Sequence, residues 1–392
     1  MRQHLIDPEI CIRCNTCEGR CPTGAISHRS NYVVDPATCT FCMRCVRPCP
    51  TGAIDNWFNV ERYYDVAEQH GWVMLPARPA EMAGVVPDAF DAEATRILEI
   101  AHLGLRGPAK APASASKPRI NAFTRDTPAR ATITGNTRIT ADGSASDVHH
   151  IILDFGAEPF PYLEGQSIGL VPPGVDGTGR PHPMRLYSAA SARDGERPNT
   201  NNMALTVKRV VNEGVAGIAS SWLCDRELGE EVDVVGPFGA TFLMPDDPQA
   251  DILMICTGTG VSPFRGFTHR RRRTAPNGPG GLYLFFGARR PEELPYFGPL
   301  QRYLQSELHR ELVYSRVAAD EHEYVQDRLL KRTELVADLL RRPTTHVYVC
   351  GLKGLEDGVD TALAQVCGRS GMIWDDIRAG LRGEGRMHVE TY

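Results

Sequence analysis

The sequence predicts a multidomain α+β chain in three dissimilar parts: a small cysteine-rich module, an antiparallel β-barrel and a doubly wound α/β domain. Three observations predict it. Eight of the twelve cysteines fall between positions 11 and 49, in two copies of one spaced pattern. From 119 to about 245, short alternating segments (ATITGNTRIT, VHHIILDF, ALTVKRVV, EVDVVGPF) are broken by Gly, Pro and Asn, as in an antiparallel barrel. From about 246, apolar runs such as DILMIC, GLYLFFG and THVYVC alternate with helical stretches, as in a doubly wound sheet.

The cysteine pattern is C-x2-C-x2-C-x3-C-P. It occurs at Cys11, Cys14, Cys17, Cys21 and Pro22, and again at Cys39, Cys42, Cys45, Cys49 and Pro50. This is the run of bacterial two-cluster ferredoxins. Three thiolates two residues apart wrap one [4Fe–4S] cubane, and the fourth cysteine ligates the other cluster. The predicted sets are therefore Cys11, Cys14, Cys17 and Cys49, and Cys39, Cys42, Cys45 and Cys21. The string CPTGAI recurs at 21–26 and 49–54, an internal repeat of about 28 residues that points to pseudo-symmetric halves. Disulfides and zinc are the bland alternatives. A disulfide framework suits a small secreted chain, and a zinc site has no role for the trailing C-P. Residues 1–60 are read as the ferredoxin module.

The chain has 392 residues, 42% apolar and 23% charged, which suits two or three soluble domains. A net charge of −5 argues against nucleic-acid binding. No apolar run approaches the ~18 residues of a membrane span, and the start MRQHLIDPEI has no apolar signal core. A cytoplasmic protein is expected. Residues 61–118 read as a helical segment, with DAEATRILEIAHLGL at 91–105, followed by a Pro/Ala/Ser linker at 107–118. The barrel spans 119–245 and the α/β domain 246–392. Cys224, Cys256 and Cys367 are expected to be small core residues.

In the barrel, EGQSIGLVPPG at 164–174, RLYSAAS at 185–191 and LTVKRV at 205–210 resemble the plant-type ferredoxin–NADP reductase family, and the resemblance runs from about 119 to 392. It implies FAD in the barrel. Arg185 would pair with the pyrophosphate through a forked contact. Tyr187 would offer a flat face to the isoalloxazine ring, and the Ser188 hydroxyl would donate to flavin N5. Lys208 falls in the same set. GIASSWLCD at 217–225 stands where the family has Gly-Val-Cys-Ser-Asn, so Ser220 is the expected pyrophosphate residue there; a plain serine N-cap is the alternative.

DILMICTGTGVSPFRGF at 251–267 is a buried strand, a glycine turn and a helix start, matching the family's nicotinamide-nucleotide loop. Gly258 and Gly260 would let the backbone approach the dinucleotide, with Thr259 near the nicotinamide amide. VYSRV at 313–317 supplies Ser315 and Arg316 where the family binds the 2′-phosphate; alone they read as a solvated strand end. Tyr324 would stack on adenine beside Gln326, and His322 stands where the family often has lysine. NADPH is therefore expected.

The resemblance also carries over to HVYVCGLKGLEDGV at 346–359 and to the chain end MHVETY. Cys350 would project toward the nicotinamide, although an isolated cysteine reads as core. Tyr392 would cover the flavin face as a movable gate, and Glu390 would join Ser188 and Cys350 and either orient the nicotinamide or relay protons. A frayed terminus is the bland reading. HRRRR at 269–273 reads as a solvated helix end, with a docking patch for an acidic partner as the rival.

The predicted chemistry is hydride transfer from NADPH to FAD, then single electrons through two [4Fe–4S] clusters to an external acceptor. A two-cluster ferredoxin fused to this reductase type resembles the reductase components of benzoyl-CoA 2,3-epoxidase systems. That implies a diiron oxygenase partner acting on benzoyl-CoA. Another acceptor (a free ferredoxin, a hydrogenase, a sulfite reductase) and a non-catalytic electron-wiring subunit are the alternatives.

Overall fold

The computed structural model describes residues 1–392 apart from 9, 10, 12, 47, 50–52, 55, 56, 61, 74, 77–109, 178, 199, 213 and 318–321. The predicted helix at 91–105 lies outside the described residues. Two compact units are present, Met1–Asp88 and Ala89–Tyr392.

The first unit follows the repeat. Strand β1 (Arg2–His4) precedes the first cysteine motif and pairs antiparallel with β4 (Trp57–Asn59), which follows the second. Strands β2 (Ile26–His28) and β3 (Tyr32–Val34) pair in the same sense between the motifs. Ile6, Ile26, Val34 and Ile54 are buried among the cysteines and form a core too small to stand without another brace.

In the second unit, six antiparallel strands run in the order β8 (Arg185–Ser188), β7 (Ser167–Leu170), β12 (Glu231–Phe238), β5 (Ala129–Arg138), β6 (Val148–Asp154) and β9 (Asn202–Lys208). A bridge between Ala189 and Leu205 joins the two edges, so the sheet closes into a barrel. Alternation in the sequence becomes alternation in space: Ala129, Ala131 and Ile133 point inward beside Val232 and Val234.

Five parallel strands form the α/β part, in the order β15 (His309–Tyr314), β14 (Leu282–Ala288), β13 (Asp251–Thr257), β16 (Thr345–Gly351) and β17 (Met387–Thr391). The central strand β13 is buried on both faces and hence apolar from Ile252 to Cys256. Leu253 and Ile255 meet the helices Val325–Lys331 and Gly354–Arg369, while Met254 and Cys256 meet Phe264 and Phe267 of the helix Val261–Thr274. The chain runs outward from β13 to β14 and β15, then returns to β16. Strand order therefore reverses between β13 and β16, where such sheets bind ligands beyond the strands' carboxyl ends.

The arginine run of this helix is neither a solvated end nor a docking patch. Arg270 and Arg271 are buried. Arg271 donates to the carbonyls of Ala250 and Gly280, and Arg273 reaches Asp194 and Gly195 of the barrel half. Most of the helix end faces its own protein, so Arg270, Arg271 and Arg273 turn inward, while Arg272 stays exposed beside Glu307 at 3.1 Å. Residues 110–118 also lie against this unit. Ser116 is buried between Asp246 and Arg193, and Arg193 forks onto the buried Glu164 at 2.7 and 2.9 Å. Among the described residues, no helix is long and apolar enough to cross a membrane.

Candidate functional site

In the first unit, Cys11, Cys14, Cys17 and Cys49 line one small pocket. Cys21, Cys39, Cys42 and Cys45 line another. Each cavity takes three cysteines from one motif and the last from the other. Left-handed backbone at Arg13 and Asn15, and again at Phe41 and Met43, coils the two loops in the same way. The four thiols of each set line one hollow, as the ligands of a cubane would. Burial pushes the Cys17 thiol up to about 11 and the Cys45 thiol up to about 12.

The sequence reading did not single out the cage walls. They match across the repeat at Ile6 and Val34, Ala53 and Ala25, and Ile54 and Ile26. They differ where Asn15 answers Met43 and where Tyr32 answers His4. The signal was available in the offset of about 28 residues.

In the second unit, three elements meet at the carboxyl ends of β13 and β16. Ser188 ends β8 and lies in register with Ser167. Its hydroxyl donates to Glu390 Oε1 at 3.3 Å and accepts from Ser167 Oγ at 3.3 Å. Glu390 is the register partner of Cys350 across β16 and β17. Burial first, then the nearby Glu390 carboxylate, pushes the Cys350 thiol well above its ordinary range. The C-terminus is a buried strand, and Tyr392 N–H donates to the Gly351 carbonyl. The half-exposed Tyr392 ring brings its hydroxyl within 2.7 Å of Thr259 Oγ1.

The two loop glycines have different reasons. Gly258 takes φ +57° and has open space where a Cβ would be. At Gly260 a Cβ would stand 2.2 Å from the Cys350 carbonyl oxygen. Its close approach is to the chain's own β16, a packing demand beside any approach of a dinucleotide.

On the barrel side, Arg185 is exposed and donates to the Met184 carbonyl at 3.1 Å, Tyr187 packs against the barrel core, and Lys208 is exposed at the end of β9. Ser220 does not cap its helix. Gly217 is the N-cap, and the Ser220 hydroxyl accepts from Val210 N–H at 3.1 Å and donates to the Gly217 carbonyl at 3.3 Å. The neighbours fit a polar ligand better: Ser221 Oγ and Trp222 Nε1 are buried with no partner.

Farther out, Ser315 and Arg316 follow β15, their amides fixed by the carbonyls of Ala288 and Arg289. His322 Nδ1 lies 2.7 Å from the Ser315 carbonyl. Tyr324 is half exposed at the start of the helix Val325–Lys331, and Gln326 lies against Gly358.

Residues 254–361 match the oxidoreductase NAD-binding domain, and residues 4–27 and 32–55 each match the 4Fe-4S binding domain. A ferredoxin–NADP reductase of Spirulina is 35% identical over 273 residues, which cover 66% of this chain and 92% of that protein. The chain belongs to the ferredoxin–NADP reductase family. The cyanelle ferredoxin–NADP reductase of Cyanophora paradoxa is 38% identical over 66% of this chain and 74% of its own length. The solved ferredoxin-NADP+ reductase of Plasmodium falciparum shares the fold, with a TM-score of 0.56 at 23% identity over 70% of this chain and 99% of that one. The family binds FAD and NADP(H), and the 4Fe-4S domain carries [4Fe–4S] clusters. The chain is thus a ferredoxin–NADP reductase-like oxidoreductase with an N-terminal iron–sulfur module.

Proposed function

We propose that the chain is an NADPH-dependent reductase that sends single electrons through its own two clusters to a partner protein. Cys11, Cys14, Cys17 and Cys49 hold one cluster, and Cys39, Cys42, Cys45 and Cys21 hold the other. When bound, FAD takes up a hydride and releases its electrons one at a time, which suits one-electron clusters. The protein's residues bind and orient. Arg185, Tyr187, Lys208 and the turn around Ser220 hold the flavin nucleotide. Gly258, Thr259 and Gly260 cradle the nicotinamide half. Ser315, Arg316, Tyr324 and Gln326 hold the adenosine 2′-phosphate half. A related fold, the Plasmodium falciparum enzyme, was solved with 2′P-AMP.

The observation that carries this reading is the meeting of Ser188 from the barrel with Cys350 and Glu390 from the α/β sheet, beside the Gly258–Gly260 turn. Ser188 presents a hydroxyl whose orientation Glu390 sets. Cys350 presents a neutral thiol. Tyr392 closes the site and swings away when the nicotinamide enters. From domain order, we assign the acceptor to a diiron oxygenase component of the benzoyl-CoA 2,3-epoxidase kind.

Anaerobic mixing with one equivalent of NADPH tests the core of this reading. Flavin absorbance should bleach first, and iron–sulfur EPR signals should follow. A bleached flavin with silent clusters defeats it. Deletion of the gene should abolish growth on benzoate and spare growth on succinate; unimpaired growth on benzoate removes the oxygenase assignment alone.

A further inference from the structure

Ser262 is the second residue of the helix Val261–Thr274 and is only 3% exposed. A serine so near a helix start ordinarily serves its own helix. Here its hydroxyl crosses to the barrel half and donates to the Ser188 carbonyl at 2.7 Å. The helix keeps following that strand. Arg265 donates to the Ala190 carbonyl at 2.8 Å, and at Gly266 a Cβ would stand 3.0 Å from the Ser191 carbonyl oxygen. Two residues before Ser262, Gly260 presses on the Cys350 carbonyl. One helical turn thus touches Ser188 on one side and Cys350 on the other.

Ser188 is held at both ends. Its hydroxyl lies between Ser167 and Glu390, and its carbonyl takes the Ser262 proton. A tilt of the peptide after Ser188 would swing the Ser188 side chain with it. Near-attack geometry tolerates little of that, since reacting atoms must lie about 3–3.5 Å apart.

We propose that Ser262 is a positioning residue for hydride transfer, which locks Ser188 of the barrel in register with the glycine turn and Cys350 of the α/β sheet. The proposal rests on the reading of Ser188 as the flavin-facing residue. Ser262 itself touches neither nucleotide and acts through the Ser188 peptide.

The test compares Ser262→Ala, Ser262→Thr and Ser188→Ala in the full-length holoprotein, with FAD content and melting temperature checked first. Stopped-flow reduction by NADPH and by 4-deuterated NADPH gives the hydride-transfer rate, the isotope effect and the NADPH Kd. Ser262→Ala should slow transfer roughly fivefold to tenfold, the equivalent of one neutral hydrogen bond, with Kd unchanged. Ser262→Thr keeps the hydroxyl and should recover most of the rate. Independently of turnover, amide hydrogen exchange of a peptide spanning 185–191 should quicken in Ser262→Ala without NADPH, while a peptide spanning 231–238 stays unchanged. If Ser188→Ala is slow but Ser262→Ala transfers hydride within twofold of wild type, the Ser262 proposal alone falls. If Ser188→Ala itself transfers hydride at the wild-type rate, the flavin-side reading falls and takes the proposal with it.

Discussion

Glu390 stands beside Cys350 on the parallel ladder of β16 and β17 and sends its carboxylate across to Ser188 Oγ, 3.3 Å away. A charge in that position does two things. It accepts the Ser188 proton, and it disfavours a second negative charge on Cys350. Burial first, and that charge second, keep the thiol protonated at neutral pH. Glu390→Gln keeps an oxygen for Ser188 but removes the charge. It should slow hydride transfer about tenfold with FAD content unchanged. Cys350→Ser should slow it similarly, and the double variant should lose less than the product of the two, because contacting residues do not act independently. Stopped-flow rates for the three variants check this.

The crossed cysteine cages predict which substitutions act alike. Cys49→Ser should remove the same cluster as Cys11→Ser, although Cys21 lies far closer to Cys11 in sequence. Cys21→Ser should match Cys39→Ser. Each variant should fall from about eight irons to about four. Low-temperature EPR of the dithionite-reduced proteins should show the same residual signal within a pair and different signals between pairs. A Cys21→Ser signal matching that of Cys11→Ser would contradict the crossed arrangement.

These contrasts show what the chain reveals in advance. The cysteine spacing is a local rule repeated twice, and strands such as EVDVVGPF and DILMICT carry their burial in their own alternation or lack of it. Those parts are legible. Ser262 was not, because its partner Ser188 is 74 residues away and a serine in a helix start has an ordinary local use. The arginines at 270–273 failed for the same reason. Four cations in a row resemble a wet helix end until the acceptors, Ala250, Gly280 and Asp194, come in from elsewhere. At Ser220 only the cap alternative fails: a serine beside a helix start looks like a cap, but the loop amide of Val210 claims its oxygen.

Nucleotide choice should rest on Arg316. Its backbone is tied to Arg289 at 2.8 Å while its side chain is free to meet a phosphate at the exposed end of β15. A charge-assisted contact of about 1.5–3 kcal/mol corresponds to roughly 10- to 150-fold in affinity. Arg316→Ala should raise KM for NADPH within that range and leave KM for NADH nearly unchanged. His322→Lys puts a permanent cation next to Ser315 and should lower KM for NADPH. Steady-state dye reduction with both nucleotides measures the split, and an equal rise for NADH would show that Arg316 supports structure instead.

Stability should fall on mild acidification because two histidines, the buried His346 and the partly buried His269, are held neutral. Burial, helped by the Arg265 guanidinium, holds His269 down to about 3; burial, helped by Arg386, holds His346 down to about 4. Each leaves Nδ1 without a partner. In the unfolded chain both return to about 6.5. Between that value and the folded ones, the unfolded chain binds protons that the native chain excludes, so their contribution is complete above about 6.5 and drains away as pH falls toward 4 and then 3. Glu196 behaves differently. Burial opposes its charge, but the Arg265 fork and His150 hold it well below the carboxylate range. Its contribution is complete above about 4.3 and is lost only below that. Melting temperatures followed by flavin fluorescence from pH 7.5 to 5.0 should therefore decline in the wild type. Paired His269→Gln and His346→Gln substitutions should flatten that decline, and Glu196→Gln should lower the whole curve without changing its slope. An unchanged slope in the double histidine variant would assign the acid sensitivity to other groups.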